Sequence, residues 1–565
     1  MYKKAKNLDL KIKIESAKTW FSSPLDSKIY IILSAISLTL LFYSIWEIKP
    51  VSVDITDFIG LTSHLTLAYW LGYILIIFCL IRLYFDTDNK NELIHILILI
   101  IVGLFLFGVP IFAEENARFP WSYYPAGEVK TILETKYIDS ISPYPLISYR
   151  SWPATHLISA TILYLTGIKI ENLLKYMPVF WLFSVVFIIF SIGKRLKFSV
   201  NQSFLASFII LSSFWTFHYY YGPPSFAYIL YLLLFMFIVS FSNINKIRDT
   251  ILISLTFAVL VITHMLTSMA LISSFMFSSK YIKSIYEKRT RFMIFFLIVF
   301  IAWYVYLAPV MFRTGVEEFI KQATGLAFFS FFQTEKYSAG ELLTREITHY
   351  SRLFYLGIYA ISMIYAAALY LTGRIKEEKK ELTKICFFWF IGVLVLFVFK
   401  YGAAEIDDRI YIYSLVPMAC ILTLTLNRKT LVILSILLVI PHIPAHYGSE
   451  SYEMITSTEL VGSKFFAMKI TIENNESYFS MFDTFVNYYD SETINYKRKS
   501  LSVAAKPNIS MLYTSDYIIN SKSSHNLVLY AYGVDPIQEG IRLCQNNVSL
   551  LYNNGYYQIY INSIS

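Results

Sequence analysis

Two adjacent carboxylates, Glu114 and Glu115, directly follow an unbroken apolar stretch at residues 93–113. Glu128, Glu134 and Asp139 come next, and six aromatic or proline residues lie between Phe119 and Pro125. Acids at the end of a membrane span stand where lipid head groups meet water. A carboxylate there can take a proton from a hydroxyl or an amine, or hold a divalent cation against a phosphate or pyrophosphate. The competing reading is that each acid is an ordinary solvated residue at a helix end. The aromatic company argues for a site in the loop as a whole.

Other groups bear chemistry too. The segment KYGAAEIDDRIYIYSLVP (400–417) gathers Lys400, Glu405, Asp407, Asp408 and Arg409 where a further apolar stretch begins. A guanidinium at that depth can grip a phosphate with two parallel hydrogen bonds. It can equally snorkel to head groups while paired with Asp407 or Asp408. His264 in THMLTS and His218 in FHYYYGPP put imidazoles beside hydroxyls near helix ends. His264 can bond a sugar or a phosphate, although a histidine there more commonly satisfies a turn. Residues 313–350 mix charge with Phe-Phe pairs and read as a lid, or as a plain amphipathic connector.

Positioning these groups is the work of a membrane domain. Of 565 residues 56% are hydrophobic, 18% aromatic and 15% charged, and the mean hydropathy is +0.53. Apolar runs of about 20 residues recur from residue 28 to residue 447, the mark of a multi-pass membrane protein. The net charge of +9 sits in short clusters between spans, which sets orientation and gives no nucleic-acid signal. Residues 1–27 are basic, without the apolar core or cleavage site of a signal peptide, and read as a cytoplasmic segment. Cys79, Cys386 and Cys420 fall in apolar spans, and Cys544 stands alone in the tail, so no disulfide framework is implied.

Spans are expected near 28–48, 65–85, 93–113, 173–193, 202–221, 223–242, 292–312, 352–373, 385–400, 411–427 and 430–447. Residues 153–167 are short for a crossing, and 250–280 are long for one helix but suit two short ones broken near His264. With the N-terminus inside and 153–167 only dipping into the outer leaflet, the clusters at 193–197, 245–249, 278–291, 373–384 and 427–430 all face the cytoplasm. The loops 114–152, 313–350 and 401–410 then face outward. The alternative, in which 153–167 spans and 250–280 crosses once, inverts only 168–249.

The expectation is an α-helical polytopic protein of about 12–13 transmembrane helices. An N-terminal hairpin (28–92) precedes a main membrane domain (93–447), and a small extracytoplasmic α/β domain (448–565) follows. In that polar tail NLVLYAYGV and YYQIYIN look strand-like, while STELVGSKFFA and SMFDTFVNYYD look helical. YYPAGEVKTILETKYI, with Val129, Ile132 and Leu133 at helical spacing, reads as an amphipathic helix on the membrane surface. Asn475, Asn508 and Asn547 head N-x-S triplets compatible with surface glycosylation. A Walker A loop, a GxGxxG turn, HExxH and paired CxxC are all absent, which leaves ATP-driven transport and a nucleotide-sugar domain unsupported.

The pattern resembles the GT-C superfamily of membrane glycosyltransferases, which includes oligosaccharyltransferases, protein O-mannosyltransferases and aminoarabinose transferases. Four features carry the resemblance over residues 90–450: the acidic outer loop at Glu114-Glu115; Trp152, Pro153 and His156 opening a helix that ends in Leu165–Gly167; the basic span end Gly193–Leu196; and Glu405, Asp408, Arg409, Tyr411 and Pro417 ahead of an outward C-terminal domain. The chain departs from the family in its extra pair of spans at 28–85 and in lacking Asp-x-Asp or WWDYG-type signatures. The Asn/Ile/Lys/Tyr-rich composition is similar to that of archaeal membrane proteins.

The resemblance implies transfer of a sugar from a polyprenyl-phosphate donor, among membrane lipids, to a glycan, lipid or protein acceptor on the outer face of the cell membrane. It makes Glu115 the base or metal anchor, Glu114 the close alternative, and Glu128 the group that positions the acceptor or a Mg or Mn ion. Arg409, with Lys400, would hold the carrier phosphate as it leaves. Asp408, Tyr411, His264, His156 and Tyr124 would line the substrate site. A transporter or flippase of lipid-linked substrates is the rival reading, and a non-catalytic relative is the third. Charges gathered at one face and the absence of matching halves favour the enzyme.

Overall fold

The computed structural model describes residues 26–54, 56–57, 59–86, 88–138, 150–215, 220–240, 247–282, 288–309, 313, 343–396, 406–448, 453–469, 478–480, 484–489, 498–500, 515–532, 538, 541 and 548–562. Expectations on Asp139, His218, Lys400, Glu405, Cys544, the three N-x-S asparagines, residues 1–25 and most of 313–350 fall outside these. Asp407 and Asp408 lie in a described helix, but their side chains are outside the described set.

The apolar runs form helices. They are α1 (Ser27–Ile48), α2 (Leu67–Phe85), α3 (Glu92–Ala113), α6 (Ile170–Arg195), α7 (Val200–Ser213), α8 (Pro223–Ser240), α9 (Ile247–Val261), α10 (Met265–Ser278), α11 (Arg289–Ala302), α12 (Leu343–Leu371), α13 (Glu377–Leu394), α14 (Ile406–Thr425) and α15 (Arg428–Tyr447). Between α3 and α6 lie α4 (Tyr123–Thr135) and α5 (Pro153–Thr166). Among the described residues seven helices are long and apolar enough to cross a membrane by themselves: α1, α2, α3, α6, α12 and α15, with α11 continued to Leu307. The protein is a polytopic helical membrane protein, as expected.

Contacts between helix ends sort the molecule into two faces. On one, Lys194 at the end of α6 pairs with Glu92 at the start of α3 (2.7 Å). There Asn201 at the start of α7 donates to the Tyr84 carbonyl at the end of α2 (3.0 Å). Arg428, opening α15, lies over the Tyr84 and Phe85 rings. On the other face Lys175 near the start of α6 donates to the Glu114 carbonyl (2.7 Å). Trp303 beyond α11 reaches the Ser151 carbonyl (3.0 Å), and the Ala154 N–H reaches Ile262 at the end of α9 (3.2 Å).

These contacts decide the ambiguous segments. The residues before α5 and the first turns of α6 both belong to the Glu114 face, so α5 leaves from that face and returns to it. Its 14 residues rise only about 21 Å. Gly167, at φ +66° with its N–H on the Leu163 carbonyl, ends the helix in the left-handed conformation that glycine adopts without cost. Residues 250–280 are indeed two short helices, α9 and α10, with His264 capping the second. An impermeant maleimide should therefore label Ile168→Cys and Glu115→Cys from the same side of a sealed vesicle. Labelling from opposite sides would mean that α5 crosses.

Helix α7 stops earlier than the expected span 202–221. The last carbonyls of a helix have no partner within it, and here that end is buried. Three neighbouring helices supply donors. Tyr355 of α12 and Nδ1 of His442 of α15 donate to the Ser212 carbonyl (2.9 and 2.7 Å). Tyr411 of α14 donates to the Ser213 carbonyl (2.8 Å), and Nδ1 of His446 donates to the Trp215 carbonyl (3.2 Å). A wider turn at Leu104–Gly108 interrupts α3 and frees the Phe105 carbonyl, which accepts from Tyr69 and Tyr447 (2.9 and 3.2 Å).

The tail is a mixed α/β domain, as expected. Its sheet runs β2-β1-β3-β5-β4, from β1 (Tyr478–Ser480), β2 (Arg498–Ser500), β3 (Tyr517–Ser521), β4 (Val548–Asn553) and β5 (Tyr557–Asn562). β1 is parallel to both neighbours, and β5 is antiparallel to β3 and β4. Helices α16 (Ser457–Lys469) and α17 (Thr484–Tyr489) accompany it. NLVLYAY is not a strand but part of α18 (Lys522–Tyr532). The Ser521 hydroxyl accepts the Ser524 N–H (3.2 Å) and starts a helix that the β-branched and aromatic run had masked.

The surface-helix expectation for residues 123–138 is also corrected. α4 forms, but Val129 is buried in a cluster with Leu163 of α5 and with Phe485, Tyr488 and Ile518 of the tail domain. Its apolar stripe meets protein on both sides rather than lipid. That sandwich fixes the tail domain against the Glu114 loop.

Candidate active site

Ala113 ends α3, and the next residue carries the carboxylate of most interest. Glu114 is 1% exposed, and neither of its carboxylate oxygens accepts a hydrogen bond from any described residue. The other buried carboxylates among the described residues have hydrogen-bond partners. Glu459, at 0% exposure, accepts from the backbone and hydroxyl of both Thr456 and Ser523. A buried acid without donors is costly and needs a reason. Burial pushes the Glu114 carboxyl up to about 7; Arg118 pulls it down, Glu453 raises it again, and Lys175 lowers it. Glu115, by contrast, is exposed, and its backbone carbonyl accepts from Lys175 (3.1 Å).

Arg118 and Glu453 form a close pair, Nη2 to Oε2 2.6 Å, with side chains only 10% and 3% exposed. The loop is built for this pair. Phe119 sits at φ +72°, an unusual backbone for a side-chain-bearing residue, and its N–H donates to the Glu453 carbonyl (2.7 Å). Its ring packs 4.4 Å from that of Tyr220. Asn116 adds hydrogen bonds to the Ile455 carbonyl and the Ser457 hydroxyl (3.1 Å each). The loop after α3 and the segment after α15 thus make one rigid wall beside Glu114.

The other predicted residues lie on other elements. Glu128 is buried and its carboxylate pairs with Arg150 (2.7 Å). Among the described residues no three His, Cys, Asp or Glu side chains converge as metal ligands. A Mg or Mn ion held by Glu115 and Glu128 would need further ligands. Tyr124 and His156 are buried.

His264 bonds through Nδ1 with the Thr267 hydroxyl (2.9 Å), which meets Tyr413 (2.6 Å), and its ring lies 5.3 Å from that of Trp152. Tyr411 serves the end of α7, and its ring lies tilted 5.2 Å from that of Trp215. Arg409 is 7% exposed in the first turn of α14, within electrostatic reach of His264. Trp152 donates to Tyr304 (3.1 Å), which donates to the Val261 carbonyl (3.2 Å), so Arg409 and His264 belong to the Glu114 face.

Several residues were missed in the sequence. His442 and His446, one helical turn apart, flank Phe107, with each ring 5.2 Å from it. Arg352 stacks 5.0 Å above Trp215 and donates to the Ala445 carbonyl (3.1 Å). The H-x-x-x-H spacing was a readable signal, as was Arg118 four residues beyond Glu114. Nothing local singles out Glu453.

No family model matches the sequence, and no curated protein matches it. Among solved structures the chain is similar to ArnT from Cupriavidus metallidurans bound to undecaprenyl phosphate. The alignment has 10% identity and a TM-score of 0.45, and covers 82% of this chain and 97% of that one.

Proposed function

We propose that this protein is a membrane glycosyltransferase of the GT-C type. It moves a sugar from a polyprenyl-phosphate-linked donor to a glycan, lipid or protein acceptor on the outer face. The observation that carries the reading is Glu114, a buried carboxyl without a donor, pushed up to about 7 at the end of a span beside the Arg118–Glu453 pair. A base poised near the working pH combines a useful charged fraction with useful proton affinity. Neither carboxylate oxygen is engaged by a donor from a described residue.

The step balances simply. The acceptor oxygen attacks the anomeric carbon while Glu114 takes its proton. The bond from that carbon to the phosphate oxygen breaks, and its electron pair leaves with the lipid phosphate. Arg409 meets that negative charge as it grows, where charge-assisted bonds in a dry site act most strongly. Glu114 replaces Glu115 as the favoured base because only Glu114 is withdrawn from water. The basic clusters on the opposite face make that face cytoplasmic by the positive-inside rule.

The test is transfer of radiolabelled sugar from polyprenyl-phosphate donors in membranes. Wild type and Glu115→Gln should label an acceptor, Glu114→Gln should lose at least a hundredfold, and Arg409→Ala should fall steeply. Full activity in Glu114→Gln removes the assignment. Failure of folded wild type with every donor turns the reading to a flippase.

A further inference from the structure

A second polar site lies on the Glu114 face, away from the catalytic groups. It is a pocket of about 230 Å³ between Asp54, in the segment after α1, and the β3–α18 and β4–β5 corners of the tail domain. That is smaller than the roughly 300–1,000 Å³ of clefts for drug-sized ligands, and suits one small polar ring. Asn520 and Gln558 stand opposite each other on β3 and β5, and Asn526 joins them from α18. Tyr556, 46% exposed, forms a rim in the turn after Gly555.

Three observations point to what the pocket takes. Asn520 is 6% exposed, yet its Oδ1 accepts from no described residue, so a buried acceptor lines the cavity without a donor. Amide side chains donate and accept in one plane, which matches neighbouring hydroxyls on a ring. The one ammonium present, Lys522, faces the Asp54 carboxylate at 3.7 Å and lies 4.8 Å from the Tyr556 ring. Its charge is offset, so the pocket favours a neutral ligand over a phosphate. A half-exposed aromatic ring beside amides suits the C–H face of a sugar as well as its hydroxyls.

We propose that this pocket binds a neutral sugar residue of a glycan, tethering acceptor or product glycans to the tail domain. Sugar binding here does not depend on Glu114 or on transfer. The experiment uses the full-length protein in a non-glycosidic detergent without any lipid donor. The probes are the methyl glycosides of glucose, mannose, galactose and N-acetylglucosamine, and the readout is saturation-transfer NMR. At least one glycoside should receive saturation from wild type, and Tyr556→Ala, in an exposed turn, should lower it at least fivefold. Tyr556→Phe should keep most of it, and Asn520→Leu should lose it wherever its melting curve shows a folded protein. No saturation on any of the four, or an unchanged signal in Tyr556→Ala, overturns the proposal and leaves the transferase reading untouched.

Discussion

Glu114→Gln is expected to abolish transfer and, at pH 8, to make the folded protein more stable. Both effects come from one cause. An unfolded glutamate titrates near 4.3, whereas burial holds Glu114 up to about 7. Between those values the native chain keeps a proton that the unfolded chain has released, so stability falls as pH rises through the window. Below about 4.3 both states are protonated and nothing is lost. Above 7 the folded protein carries an uncompensated buried charge, which costs on the order of 3 kcal/mol. Glutamine is neutral throughout. Melting curves in detergent should show the variant ahead at pH 8, with the gap closing toward pH 4.5. A variant that melts below wild type at pH 8 would mean that Glu114 is stabilised by its surroundings, contrary to its lack of donors.

Glu453→Gln should act in the opposite direction on stability and shift the site's titration. Removing one partner of a buried ion pair leaves the other charge unmet, at a cost of about 3–5 kcal/mol. Arg118 would then turn its whole field on Glu114, and the negative charge that raises the Glu114 carboxyl would be gone. Both changes lower the pH at which Glu114 ionises. The acid limb of the transfer profile should therefore move to lower pH. Arg118→Leu should move it above 7, because it removes the cation and leaves the negative charge of Glu453 acting on Glu114. Subtracting the melting profile of each variant from that of its double with Glu114→Gln reads the same shifts without any activity. Identical limbs in both variants would show that the pair does not tune Glu114.

Much of this architecture is written locally. Apolar run length located most of the spans, and the break at His264 was legible because a histidine followed by Thr267 can cap a new helix. The tail strand YYQIYIN alternates as a half-buried strand should. Other elements depend on distant partners. The end of α7 looks like continuing span in the sequence, since Phe214 and Trp215 are as apolar as what precedes them. It stops where donors from α12, α14 and α15 satisfy its carbonyls. α4 has the stripe of a membrane-surface helix, and only its contact with Phe485 and Tyr488 shows that the stripe meets protein.

The site divides in the same way. The Glu114-Glu115 pair stood out, but which acid faces inward depends on the course of α3, whose wider turn at Leu104–Gly108 shifts the phase of every residue after it. Arg118 and Glu453 are 335 positions apart in the chain, so their pairing has no local trace.

That separation has a temporal side. A ribosome makes the loop bearing Glu114 and Arg118 early, and Glu453 only after it has made the helix ending at Tyr447. Until then Arg118 lacks Glu453, and the wall beside Glu114 is missing its later half. On the proposed reading, the site is completed late in biogenesis, and a chain arrested before residue 453 transfers no sugar.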